Sequence, residues 1–145
     1  MKVRNLKAED LAVCAQIYVR AFSSHPYYEQ WDEKTAYRRL TEFYEGNPSN
    51  CYCAEIEDRI VAMLFAETHT WRDGISVYVL EVAVDPDYQG KGIGRSLLST
   101  CADIFRGKNY RRMEVLVNRY GPVSDFYQKL GFRETNYYLM VKELQ

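Results

Sequence analysis

The sequence predicts an α/β fold, a central mixed sheet flanked by helices, and three adjacent stretches carry that prediction. Ile75 to Val84, I-S-V-Y-V-L-E-V-A-V, is almost all apolar or aromatic and rich in valine, which reads as a buried central strand. Asp85-Pro86-Asp87 ends it, because proline lacks the amide a ladder needs and aspartate favours turns. After the loop Gln89-Gly90-Lys91-Gly92-Ile93-Gly94, a helical run sets Leu97, Leu98, Cys101, Ala102 and Phe105 on one face. Strand, glycine-rich loop and helix in that order leave free backbone amides at a helix N-terminus, a ready-made anion site.

The other elements follow in order. Lys2 to Leu6 reads as a short strand, and Glu9 to Phe22 as a helix with Leu11, Cys14, Ile17, Tyr18, Ala21 and Phe22 at helical spacing. Ser23-Ser24-His25-Pro26 stops it. Tyr27 to Asp32 is aromatic and acidic without a clean period, so it reads as a loop. Asp32 can cap a second helix, Glu33 to Glu45, whose buried face is Ala36, Leu40, Phe43 and Tyr44. Asn50 to Glu55 and Ile60 to Thr68 are strands, and Arg72-Asp73-Gly74 is a hairpin turn into the central strand. Arg112 to Asn118 is another strand, Gly121 to Leu130 a short helix, and Arg133 to Val141 a last strand.

At 145 residues the chain is one domain, 1–145, with a proper core. A net charge of −1 gives no general pull towards nucleic acid or anionic membrane. No segment approaches the roughly 20 apolar residues that span a bilayer, and M-K-V-R-N-L-K-A-E-D lacks a signal-peptide core. A cytoplasmic protein is the expectation, and a homodimer stays open. Cys14, Cys51, Cys53 and Cys101 lack zinc spacing and read as buried thiols, so no metal is expected.

The anion loop is neither of two common types. The dinucleotide fingerprint counted from Gly90 needs glycine where Arg95 stands, and no Gly-Lys-Ser/Thr triplet provides a P-loop. Gln89, Gly92 and Gly94, straight after V-A-V-D-P, resemble the Gln-x-x-Gly-x-Gly pyrophosphate loop of the GNAT superfamily of acetyl-CoA-dependent N-acetyltransferases. The element order β-α-α-β-β-β-α-β-α-β resembles the GNAT fold along the whole chain. The resemblance implies acetyl-CoA held by Gln89, Gly90, Lys91, Gly92, Ile93, Gly94, Arg95 and Ser96, and by the main chain of Val82, Ala83 and Val84. A main-chain amide near Val82 is the implied oxyanion donor.

Asp125-Phe126-Tyr127-Gln128-Lys129-Leu130-Gly131-Phe132 is similar to a second GNAT signature, F-Y-x-K-x-G-F. Phe126 and Leu130 read as the core face, Gly131 as the helix stop, and Tyr127 as pointing off that face. The resemblance implies that Tyr127 protonates the departing thiolate. The family often has an asparagine seven residues before this tyrosine. Here Asn118 stands nine before it, and Ser124 is the alternative cofactor contact.

A thioester needs no covalent enzyme intermediate, so direct attack by a held amine suffices. An alkyl amine is about one part in 10³ neutral at pH 7, a handicap of roughly 4–5 kcal/mol. A carboxylate can take that proton. Glu81 is the only charge between Ile75 and Val84, and such a carboxylate must be paired or line a cavity. Alternation places it on the face of Val79 and Ala83, opposite Leu80 and Val82. In several relatives the base falls where Leu80 or Tyr78 stands here, and some aminoglycoside N-acetyltransferases resemble this stretch with the glutamate one residue earlier.

Acid and aromatic side chains suit a cationic acceptor, which assigns Tyr27, Tyr28, Trp31, Asp32, Glu67, His69 and Trp71 to its side. The leading reading is an N-acetyltransferase for a small polycationic or amino-sugar amine. The alternatives are a protein lysine or N-terminal acetyltransferase, and a non-catalytic acyl-CoA sensor.

Overall fold

The computed structural model describes residues 1–145. Five strands form one sheet: β1 (Lys2–Asn5), β2 (Tyr52–Ile56), β3 (Arg59–Trp71), β4 (Gly74–Val84) and β5 (Arg112–Val115). Their spatial order follows their sequence order, and all neighbours are antiparallel except β4 and β5. Helices α1 (Leu11–Ser23) and α2 (Glu33–Gly46) lie between β1 and β2 in sequence, α3 (Ile93–Gly107) between β4 and β5, and α4 (Pro122–Lys129) after β5. No helix is long and apolar enough to cross a membrane.

Strand alternation divides the core in two. One side packs Leu11, Cys14, Ile17 and Tyr18 of α1 and Ala36 and Leu40 of α2 on Cys53, Met63 and Phe65. The other packs Leu97, Leu98, Cys101 and Phe105 of α3 on Ala54, Ala62, Leu64, Val77 and Val79. All four cysteines are buried and free, and burial pushes the Cys51 and Cys53 thiols up to about 11. At the end of β4 the buried Asp85 accepts from both terminal nitrogens of Arg20 on α1, at 3.0 and 2.8 Å, and from the Asp87 amide at 3.0 Å. The Arg20 guanidinium holds this carboxyl below its usual range.

Four expectations need correction. Alternation fails in β4 because Ala66 pairs with Val79 and Phe65 with Glu81, so Leu80 is an extra residue. That bulge puts Glu81 with Ala83 and Leu80 on the α1/α2 side, while Val79 faces α3. On α4, Tyr127 is the buried residue, 8% exposed, and Phe126 is 37% exposed. The helix turns Ser124, Tyr127 and Leu130 inward, at a spacing of three, and lays Phe126 beside the start of α3.

The ladder of β5 ends at Val115 rather than Asn118, because its partner β4 is distorted just past Val79. Residues 133–145 form no strand. Every one of them is exposed, and a strand-like sequence without an adjacent edge has no ladder to join.

Candidate functional site

The end of the β4–β5 pairing makes the site. Parallel pairing runs from Ser76 opposite Arg112 to Val79 opposite Val115 and stops there. Beyond it Leu80, Glu81 and Val82 diverge from Leu116, Val117 and Asn118, and the gap is a cavity of about 120 Å³. Val123 and Tyr127 of α4 close one side, and Phe22 and Tyr27 the other. The two residues assigned to catalysis from sequence, Glu81 and Tyr127, therefore line one apolar cavity together with Val82, Asn118 and Tyr27.

Glu81 is held by groups that the sequence reading passed over. Oε1 accepts from Arg39 Nε at 2.9 Å, from Arg39 Nη2 at 2.7 Å and from the Tyr18 hydroxyl at 3.2 Å. Arg39 lies over the rings of Phe43 and Trp31, at 4.7 and 5.6 Å. Burial raises the proton affinity of Glu81, and Arg39 and Tyr18 oppose it without cancelling it. The signal for Arg39 was present in the sequence. A lone carboxylate in a buried strand calls for a cation, and Arg39 borders the Ala36–Leu40–Phe43 stripe of α2.

Tyr127 packs edge-on against Phe126 and Phe132, with centroids 5.2 and 5.3 Å away. Burial foremost, then the charges of Tyr27 and Glu81, raise its pKa, so the phenol stays protonated at neutral pH. Ser124 is buried beside it and accepts from Gln128 at 3.0 Å. Asn118 reaches the cavity, and its side chain accepts from the Tyr120 amide at 2.9 Å.

The glycine loop leads into α3. Gly90 and Gly92 both have φ of +78°, a backbone open to glycine, and Gly92 caps the helix. The first helical bond runs from the Ser96 amide to the Gly92 carbonyl, leaving the amides of Ile93, Gly94 and Arg95 free of helical partners. Gln89 folds back to donate to the Val84 carbonyl at 3.1 Å, and Lys91 lies 5.4 Å over the Tyr88 ring. Gly94 has ordinary helical geometry, and a Cβ there would sit 3.5 Å from Val84 and 3.7 Å from Phe126, normal contacts. The fold thus does not require glycine at 94. The three free amides at this helix N-terminus are suited to an anion.

The acceptor-side residues are dispersed. Tyr27 lines the cavity and packs 4.6 Å from Phe22, and burial raises its pKa. Tyr28 is exposed with φ of +52°. Trp31 packs edge-on to Tyr18 and donates to Glu29 at 2.8 Å. Asp32 caps α2 through the Thr35 amide and hydroxyl, at 2.7 and 2.9 Å. Glu67 and His69 sit 3.6 Å apart further along β3, with His69 stacked on Tyr78. Trp71 at the hairpin already carries Arg72 and Arg112 over its ring. None of residues 67–71 lines the cavity. A larger cavity of about 440 Å³ holds none of the assigned residues, and most of its charges are paired, Arg4 with Asp10 and Glu55, and Arg20 with Asp85.

The family model described as the acetyltransferase (GNAT) family matches residues 14–132. A ribosomal protein bS18-alanine N-acetyltransferase of Salmonella typhimurium is 32% identical over 139 residues, 92% of this chain and 84% of that protein. An uncharacterized N-acetyltransferase of Methanocaldococcus jannaschii is 25% identical over 138 residues, 91% of this chain, and the chain spans 60% of that protein's length. In structure, a possible acetyltransferase from Clostridium difficile superposes with a TM-score of 0.82, covering 99% of this chain and 97% of the other at 20% identity.

Proposed function

The chain belongs to the GNAT family of acetyltransferases, and from that premise we propose that it is an acyltransferase moving an acetyl group from acetyl-CoA to a primary amine. The observation that carries this reading is the cavity at the end of the β4–β5 ladder, with Glu81 and Tyr127 on its wall. Acetyl-CoA supplies an activated thioester. The free amides of residues 93–95 hold its pyrophosphate, and the Val82 amide donates to the carbonyl oxygen as negative charge develops there. Glu81 receives the amine's proton through Oε2, the oxygen that Arg39 and Tyr18 leave alone. Tyr127, protonated at neutral pH, gives its proton to the sulfur as the carbon–sulfur bond breaks.

The acceptor in this reading is small and cationic, polyamine-like or an amino sugar. The sheet face that carries Glu81 continues through Tyr78, whose raised pKa owes to burial and then to Glu67 and Glu114. Carboxylates beside an aromatic ring suit an ammonium group. A second reading, acetylation of a protein N-terminal amine, is favoured by the likeness to the bS18-alanine N-acetyltransferase. Thiol release from acetyl-CoA across polyamines, amino sugars and peptides with free N-termini tests both. Turnover with small cationic amines supports the first, peptide-only turnover supports the second, and release with none of them rejects both.

A further inference from the structure

We propose that Arg20 of α1 is a positioning residue for the glycine loop: through the buried carboxylate of Asp85 it sets where residues 90–95 present their amides. This rests on the reading that the loop holds the pyrophosphate of acetyl-CoA. The loop has little of its own to hold it. No amide from Gly90 to Gly92 donates to another backbone group, and a Cβ on Gly90 or Gly92 would meet nothing within 4 Å. Lys91 reaches back only as far as the Tyr88 ring. The position of the loop is therefore inherited from the turn before it and from α3 after it.

That turn is built on one side chain. Asp85 ends β4, 1% exposed, and its Oδ1 accepts from the Asp87 amide at 3.0 Å, which caps the short turn Pro86–Tyr88. The Tyr88 amide closes the turn on the Asp85 carbonyl at 2.8 Å. The same carboxylate takes Arg20 through both oxygens, at 3.0 and 2.8 Å, and a planar fork on two oxygens fixes direction as well as distance. Tyr88 anchors the turn to the α3-side core, and Arg20 anchors it to the α1 layer. Arg20 also sits where α1 hands over to the cavity wall. Its carbonyl accepts from the Ser23 and Ser24 hydroxyls at 3.2 and 2.8 Å, and the Ser24 carbonyl accepts from the Tyr27 amide at 3.0 Å. Phe22 and Tyr27 close the cavity on the side facing Val123 and Tyr127. One guanidinium thus keeps the anion loop in register with that wall.

Calorimetry with acetyl-CoA, melting curves and amide hydrogen exchange on two variants of the full chain test this. Arg20→Met leaves Asp85 buried without its cation, so both melting temperature and cofactor affinity should fall. Arg20→Met combined with Asp85→Asn removes the stranded charge and keeps an oxygen for the Asp87 amide. Its melting temperature should rise above that of Arg20→Met. Its affinity should stay about tenfold or more below wild type, the equivalent of one hydrogen bond to a charged group. The amides of residues 87–89 should exchange faster than wild type in both variants. Two results overturn the proposal: affinity that recovers together with melting temperature in the double variant, since the pair then acts through stability alone; or wild-type exchange at 87–89 in both. A wild type that does not bind acetyl-CoA rejects the cofactor reading, and exchange at 87–89 then decides the positioning role by itself.

Discussion

Arg39 directs two hydrogen bonds, 2.9 and 2.7 Å long, at the same carboxylate oxygen of Glu81. A guanidinium facing a carboxylate squarely would use both oxygens. Here Tyr18 also takes Oε1, at 3.2 Å, so one oxygen is fully engaged and the other remains available. The arrangement keeps Glu81 anchored on α1 and α2 while leaving it able to accept a proton from the cavity.

Glu81→Gln keeps the shape and removes the base. Binding of acetyl-CoA should be unchanged, because the contacts proposed for it are main-chain amides. The maximal rate should fall at neutral pH and recover towards the amine's own pKa, near ~10.4. In the wild type the raised pKa of Glu81 places the rise of activity above the ordinary carboxylate range, since the base works only once deprotonated. A mutant profile that follows the wild type removes Glu81 from the mechanism.

Arg39→Met leaves Glu81 buried without its cation. Burial then acts unopposed, and the acid limb of the pH–rate profile should move to higher pH by about one unit or more. Arg39→Lys should move it less. An unshifted limb in the methionine variant shows that the pair does not govern the proton affinity of Glu81.

Tyr127→Phe should lower the maximal rate by about 10²–10⁴-fold while affinity for acetyl-CoA holds. The ring keeps its edge-on contacts with Phe126 and Phe132, so the melting temperature should not change. An unaltered rate, with chemistry limiting, assigns the proton to another donor.

Gly92 and Gly94 separate strain from access. Gly92→Ala places a side chain at φ of +78° and should destabilise the fold by about 1–2 kcal/mol. Gly94→Ala meets only ordinary contacts and should leave the melting temperature alone while weakening acetyl-CoA binding. Calorimetry and melting curves read the two effects separately, and full affinity in Gly94→Ala moves the pyrophosphate elsewhere.

Asp85→Asn strips the charge from a buried carboxylate held by Arg20. The expected loss is about 2–4 kcal/mol at neutral pH. Because the folded pKa is depressed, this stabilisation is present above the unfolded value near ~3.9 and is lost as pH falls through the folded one. Wild type and variant should therefore converge in melting temperature at strongly acid pH, and a constant gap argues against the ion pair as the source.

Periodic patterns were the legible part of this chain. The apolar stripes of Leu11 to Phe22 and of Leu97 to Phe105 mark their helices, and Asp32 caps α2 as its position suggests. Glu81 and Tyr127 were also visible as chemistry, one as a lone charge in a buried strand and the other inside a motif. What stayed hidden were tertiary facts. No local pattern reveals that Leu80 is unpaired, because a bulge is a property of two strands. The inward turn of Tyr127 depends on where α4 docks. The tail from Arg133 has the composition of a strand and lacks only a neighbour, which composition does not supply.

The unpaired Leu80 shifts the phase of β4 by one residue, and that shift selects the surroundings of the residue that follows. Up to Val79 the strand alternates in step with the α3 layer. Half a period later the carboxylate is delivered to the other layer, where Arg39 and Tyr18 wait. Were Leu80 instead paired opposite Phe65, continued alternation would put Glu81 opposite Leu64 and on Val79's side, with every residue beyond displaced by one against β3. A change of pairing at one residue would therefore part the carboxylate from Arg39 and Tyr18, while every residue that lines the cavity remains in the chain.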